Sequence, residues 1–193
     1  LSTVLNRYIC VGENAPYYSI DYAKTVKTFS PKRPDSTLTD SDLAAIYFSS
    51  GTTGLPKAVL HTHKALLSAA QTELNHHKQT HKDVFLCIPP LFHTGSKIHW
   101  FGSLLSGSAA VLLGDVSPRW ILETVEQEHV SIVWLLLPWA QDIIDAISTK
   151  DVITNNYDLS HWRLTHMGAQ PIPYQVVKNW LNIFPQQKFD INY

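Results

Sequence analysis

Residues 47–63 read YFSSGTTGLPKAVLHTH, and no other part of the chain is built this way. An apolar run over residues 43–48 (LAAIYF) leads into small hydroxylated residues and glycines, and a single lysine, Lys57, follows. Apolar on both faces, 43–48 reads as a strand buried from both sides, the pattern of a parallel sheet. A loop leaving such a strand stands where open α/β sheets place their ligands. Gly51 and Gly54 permit tight turning, so successive N–H groups can point into one concavity. Ser49, Ser50, Thr52 and Thr53 add hydroxyl donors, and Lys57 adds a mobile positive charge. That set suits a polyphosphate. A Walker A loop would need glycine, four residues, then Gly-Lys-Ser/Thr. Here Gly51 and Gly54 stand too close together, and Ala58 follows the lysine. The plain alternative is a Gly/Ser/Thr hairpin turn.

Outward from this loop, strand and helix patterns alternate. Leu66, Leu67, Ala70 and Leu74 form a helical stripe over residues 64–77. A strand follows over 84–88, a helix over 98–105 ended by Gly107, and a strand over 109–113. Ser117-Pro118 opens a helix with a hydroxyl cap and a proline in its first turn. Ile121, Leu122 and Val125 are its buried face. Residues 130–137 read as a strand stopped by Pro138, and Trp139, Ile143 and Ile147 mark another helix. A strand over 163–167, a helix carrying Val177, Trp180, Leu181 and Phe184, and a strand over 188–192 complete the run. Such alternation with short connections predicts an α/β fold, a mostly parallel sheet covered by helices.

With 193 residues, 45% hydrophobic and 16% charged, the chain is globular in composition. A net charge of −1 leaves no basic footprint for nucleic acid. No apolar run reaches the roughly 20 residues that span a bilayer. Cys10 and Cys87 stand apart without a Cys-x-x-Cys, which indicates neither a zinc site nor a disulfide framework and fits a reducing, cytoplasmic setting. Residues 31–40 (PKRPDSTLTD) form the one linker-like segment. The predicted organisation is an N-terminal strand and linker over 1–41 and a core over 42–193. Both ends fall beside strand-like runs, as though the chain were cut from a longer one.

The run Ser49-Ser50-Gly51-Thr52-Thr53-Gly54-Leu55-Pro56-Lys57 resembles the signature loop of the AMP-forming, adenylate-forming ligases. That superfamily includes acyl- and aryl-CoA synthetases, firefly-type luciferases and the adenylation domains of peptide synthetases. Ala58 departs from the usual glycine without removing a ligand. Residues 90–95 (PLFHTG) resemble a further family segment, with glycine one position early. Residues 157–160 (YDLS) and 163–171 (RLTHMGAQP) resemble a third, with Met167 in place of a small hydroxyl residue and Trp162 in place of leucine. Asn192-Tyr193 looks like the start of Tyr-Gly-x-Thr-Glu.

The resemblance implies part of a large N-terminal domain of an acid–thiol ligase. Such an enzyme activates a carboxylic acid with ATP to an acyl-adenylate and pyrophosphate, then passes the acyl group to coenzyme A. It implies that Ser49, Ser50, Gly51, Thr52, Thr53 and Gly54, with Lys57, hold the β- and γ-phosphates. Gly168, Ala169 and Gln170 would line the adenine and acyl pockets, Tyr193 would lie against adenine, and His93 would sit near the reacting carboxylate. Thr94, Ser96, Trp100 and Trp134 are candidates for the acyl pocket, whose bulky aromatics favour a moderate acyl or aryl acid. The family's Mg²⁺-holding glutamate and a C-terminal domain with its lysine would lie beyond Tyr193, so the chain alone is expected not to turn over. Two rivals are an amino-acid adenylation domain and a non-catalytic nucleotide-binding homologue. The first would usually place an acid in the strand over 130–137, which has none.

Among other histidines, His77 and His81 share an i, i+4 spacing with no third ligand beside them. That pair reads as a solvated face, and no metal site is predicted. His61 and His63 flank the strand-to-helix junction in a structural role.

Overall fold

The computed structural model describes residues 7–33, 35–49 and 54–192, with only the backbone of Thr94 and Ser96. The chain folds as two units, Leu1–Leu38 and Thr39–Tyr193, divided inside the proline-bearing segment 31–40. In the first unit, β1 (Ile9–Cys10) pairs in parallel with β2 (Ile20–Asp21). A short helix α1 (Tyr22–Val26) follows, capped by Asp21, which accepts from Lys24 N–H at 3.0 Å.

The second unit opens with a hairpin. Strand β3 (Leu43–Ser49) runs antiparallel to β4 (Lys57–Thr62), with Ser49 opposite Lys57. Burial of β3 on both faces is therefore corrected: Leu43, Ile46 and Phe48 are 61%, 58% and 70% exposed. The loop between the strands is too short for a parallel crossover, which takes a dozen residues or more. Apolar content alone does not separate the two cases.

Beyond the hairpin lies a five-stranded parallel sheet of order β6-β5-β7-β8-β9. Its strands are β5 (Val84–Cys87), β6 (Ala109–Leu112), β7 (Ile132–Leu136), β8 (Leu164–Gly168) and β9 (Lys188–Ile191). Between them run α2 (His63–His77), α3 (Thr94–Ser106), α4 (Pro118–Gln127), α5 (Leu137–Ser148) and α6 (Tyr174–Ile183). This is the α/β architecture the alternation predicts.

Local chemistry explains the helix ends. Thr62 Oγ1 caps α2 by accepting from Ala65 N–H at 3.2 Å, and Lys78 closes it in the left-handed conformation. Ser117 caps α4 with Pro118 in its first turn. Gly107, at φ 70°, ends α3.

The sheet separates two apolar faces by strand alternation. Leu86, Val133, Leu135 and Met167 meet Ile121, Leu122 and Val125 of α4, Ile143 of α5 and Trp180 of α6 in one core. Phe85, Cys87, Ile132, Trp134 and Leu164 point the other way and gather Leu91 and Trp100. Helix faces are rotated slightly from expectation: α5 buries Ala140, Ile143 and Ile144, and α6 buries Val176 and Trp180 while Leu181 is exposed. On α2 the buried residues are Ala70 and His77, and Leu67 of the predicted stripe is exposed.

Candidate active site

The strand order reverses direction at β5. From it the chain passes through α3 to β6 on one side, and β7 pairs on the other. The crevice beyond the carboxyl ends at such a point is where open sheets hold ligands. His93 stands there, leading from β5 into α3. It is the cap of α3, its Nδ1 accepting from Gly95 N–H at 3.2 Å. In the neutral ring that bond puts the proton on Nε2 and makes Nε2 a donor.

Trp134 of β7 packs near His93. Its ring centroid is 6.0 Å from that of His93, and the side chain is buried. A Cβ on Gly95 would come within 2.6 Å of Trp134 Cζ2. Glycine therefore falls at position 95, one place earlier than in the segment it resembles, because the indole fills the space a side chain would need.

The hairpin reaches the same place. Ile46, Tyr47 and Phe48 of β3 line a cleft of about 420 Å³ with Phe92 and His93. The Lys97 ammonium, from α3, donates to Tyr47 Oη at 2.8 Å and stands 4.4 Å from that ring's centroid. Ser49 and Lys57 face each other at the hairpin's end, both exposed. Gly54 has φ 141°, a conformation few other residues adopt. Ser50, Gly51, Thr52, Thr53 and Tyr193 lie outside the described residues.

Gly168 ends β8, two strands from β5 on the same edge of the sheet. It is buried, and Asn192 occupies the space its Cβ would take. Ala169 turns the chain at φ 71°, and Gln170 is half-buried. Trp100 packs against the Trp134 cluster, while the side chains of Thr94 and Ser96 are outside the described set. The structure thus brings His93, Trp134 and the strand leading to the loop into one place, with Gly168–Gln170 farther along the edge. A concavity of about 590 Å³, lined in part by Tyr157, Trp162 and Phe184, lies elsewhere.

Sequence reading missed two features. Lys97 looks like an ordinary helix lysine, and only the fold sets it against Tyr47. The second is a histidine cluster on the α2–α3 side of the sheet. Helix α2 ends at His77, so His81 lies in the following turn and is exposed, whereas His77 is buried. The reading of both as one solvated face is corrected accordingly. His77 instead meets Glu73, His99 of α3 and His166 of β8. The Glu73–His77 spacing was legible; His99 and His166 are too distant in sequence to be associated without the fold. Burial pushes His99 down to about 3, so its imidazole is neutral. Burial would raise the Glu73 carboxyl, but His166 beside it holds it below the usual range.

The sequence profile of AMP-binding enzymes matches residues 5–192. The chain belongs to the AMP-binding enzyme family. It is 30% identical over 196 residues to 4-coumarate–CoA ligase 2 of Solanum tuberosum, covering 97% of this chain and 34% of that protein. It is 33% identical over 150 residues to 4-coumarate–CoA ligase 3 of Arabidopsis thaliana, covering 75% and 26%. Among solved structures, a long-chain-fatty-acid–CoA ligase from Archaeoglobus fulgidus superposes with TM-score 0.80 at 20% identity, covering 93% of this chain and 37% of that one. The N-terminal domain of FACL13 from Mycobacterium tuberculosis gives 0.77 at 21%, covering 89% and 41%. Those two likenesses concern the fold. The chain spans about a third of the length of the curated relatives it matches.

Proposed function

We propose that this chain is the phosphate-loop and acid-binding part of an ATP-dependent, AMP-forming acid–CoA ligase. The observation that carries the proposal is the cleft in which the strand leading to the Ser/Thr/Gly loop meets His93 at the sheet's switch point. Ser49 to Gly54 and Lys57 hold the β- and γ-phosphates of ATP, and Lys57 compensates the charge that grows on leaving pyrophosphate. His93, fixed as a helix cap, donates from Nε2 to the acid's carboxylate and aims it at the α-phosphorus. Gly168, Ala169 and Gln170 border the adenine and acyl pockets, with Tyr193 against the adenine face. The buried Trp134 ring closes the acyl side, which favours an aryl or moderate acyl acid. That agrees with relatives named as 4-coumarate ligases.

The His93 imidazole and the Tyr47 phenol line the cleft, and the Lys97 ammonium sits on that phenol; such groups suit anions. Among the described residues the cleft's lining offers no carboxylate for Mg²⁺. Mg²⁺ supplies further positive charge on the phosphates when bound. A C-terminal domain of the same protein, bringing a lysine to the adenylate, and coenzyme A as acceptor complete the proposal. Neither Cys10 nor Cys87 is in a disulfide, in keeping with a cytoplasmic setting. Among the described residues no helix is long and apolar enough to cross a membrane.

The test is acid-dependent pyrophosphate exchange and CoA-thioester formation by the full-length protein, with aryl, fatty and amino acids as substrates. The proposal predicts thioester from an aryl or acyl acid and none from amino acids. Exchange with amino acids alone, or ATP binding without exchange on any acid, would overturn it.

A further inference from the structure

We infer that Glu73, His77, His99 and His166 form a closed, four-ligand structural site for zinc, tying α2 and α3 to strand β8. The inference is independent of the proposed ligase chemistry, because none of the four lines the cleft.

The spacing supports it. Ligands about 2.0–2.1 Å from a tetrahedral zinc stand about 3.3 Å from one another. Glu73 Oε1 lies 3.1 Å from His166 Nδ1, 3.4 Å from His77 Nδ1 and 3.6 Å from His99 Nε2. His99 Nε2 and His166 Nδ1 are 2.9 Å apart. All four ligand atoms fall within 4.8 Å of one another. They come from two turns of one helix, a second helix and a strand, so the fold itself must converge them.

Donor chemistry narrows the ion. Three imidazoles and one carboxylate suit a borderline divalent cation, whereas Mg²⁺ and Ca²⁺ prefer oxygen sets. Four protein ligands close a tetrahedron and leave no position for a reacting water, which marks a structural site. Aromatic rings stand beside the cluster: the Phe85 ring is 5.0 Å from that of His99, and the Trp134 ring is 6.5 Å from that of His166.

Two further observations point to a ligand. Glu73 Oε1 and His77 Nδ1 are buried and make no hydrogen bond, their neighbours being the cluster's own ring nitrogens and carboxylate at ion-pair distance; buried polar atoms without hydrogen bonds are costly. The remaining nitrogen of His77, Nε2, is 2.6 Å from Asp190 Oδ2 of β9. A carboxylate on the outer nitrogen of an imidazole is the arrangement that orients histidines toward zinc. Bound to a cation, the inward lone pairs of His99 and His166 would both be used, instead of sharing one proton between two nitrogens.

A second triad, His76, His77 and Asp190, shares His77 but lies at the surface. The experiment separates the two. Full-length protein is stripped with a chelator and titrated with Zn²⁺ against a competing chromophoric chelator. Co²⁺ reports the geometry by its visible absorption. We expect one ion per chain, an intense tetrahedral Co²⁺ spectrum and a melting temperature that rises with Zn²⁺. Asp190→Asn should weaken zinc binding about 10–100-fold, Glu73→Gln should abolish the Co²⁺ spectrum, and His76→Ala should change neither. If stripped wild-type protein gains no thermal stability with Zn²⁺, or if His76→Ala loses the ion while Glu73→Gln keeps it, the inference fails. The wild-type melt decides even if a variant does not fold.

Discussion

Arg163 and Asp83 meet as a fork, Nε donating to Oδ1 at 2.7 Å and Nη2 to Oδ2 at 3.0 Å. Ser131 Oγ also donates to Oδ1, at 2.7 Å, and Thr80 N–H to Oδ2, at 2.8 Å. Arg163 Nη1 continues to the His77 carbonyl at 3.1 Å. One carboxylate thereby joins the amino ends of β5, β7 and β8, and its arginine holds the end of α2. Burial pushes the Asp83 carboxyl up, but the donors from Arg163, Ser131 and Thr80 outweigh it and hold the group below its ordinary value.

That shift has a sign. With a native pKa below the unfolded 3.8, the unfolded chain binds the extra proton between the two values, so stability rises with pH across that window. The contribution is complete above the unfolded value and is lost as pH falls through the native one. Melting temperature should drop steeply in acid, and Asp83→Asn should flatten that drop. At neutral pH the variant should cost about 2 kcal/mol, since Arg163 stays partly solvated. Acid melts of the two proteins with the same slope would remove Asp83 from this role.

Gly95→Ala tests the close approach of α3 to Trp134. The methyl group would meet the indole at 2.6 Å, and such overpacking costs about 1–3 kcal/mol. Urea melts should show the loss, and Trp134→Phe in the same chain should recover part of it. Purely additive losses in the double variant would mean the two residues do not compete for space.

Lys57→Ala should slow acyl-adenylate formation in the full-length enzyme through uncompensated leaving-group charge, by about 2.7–4 kcal/mol of transition-state stabilisation. Because Lys57 is exposed on β4, thermal stability should change little. Wild-type rates of pyrophosphate exchange would rule the role out.

His93 caps α3, and on the proposed reading it also faces the acid, two duties that can be separated. His93→Ala should lose both, with the cap costing about 1 kcal/mol. His93→Asn keeps a capping acceptor, so it should melt like wild type while forming adenylate poorly with ATP affinity unchanged. Full activity in His93→Asn would confine His93 to capping.

What the sequence disclosed followed from local signals. Ser117-Pro118 marked α4, Gly107 marked the end of α3, and the strands of the parallel sheet were legible as short apolar runs between helical stripes. The hairpin was legible only as the plain alternative, a Gly/Ser/Thr turn, because residues 43–48 are apolar while β3 is half-solvated in a two-stranded ribbon. His93 escaped notice as a cap because imidazole is not among the preferred capping side chains. The cluster of His77, His99 and His166 escaped because its members meet only when α2, α3 and β8 converge. Motif residues were legible by order along the chain. Their grouping needed the switch point between β5 and β7.

The strand order also sets a possible sequence of assembly. Once β5 exists, β6 joins one edge, β7 the other, β8 joins β7 and β9 joins β8. Every strand emerging during synthesis thus finds an open edge, and none must be inserted between two already paired. Parallel pairing is slow because each contact closes a long loop, but this order asks for only one closure at a time. β9 comes last, and it brings Asp190 to His77. The imidazole on α2 therefore receives its Asp190 partner only when the described sheet is finished.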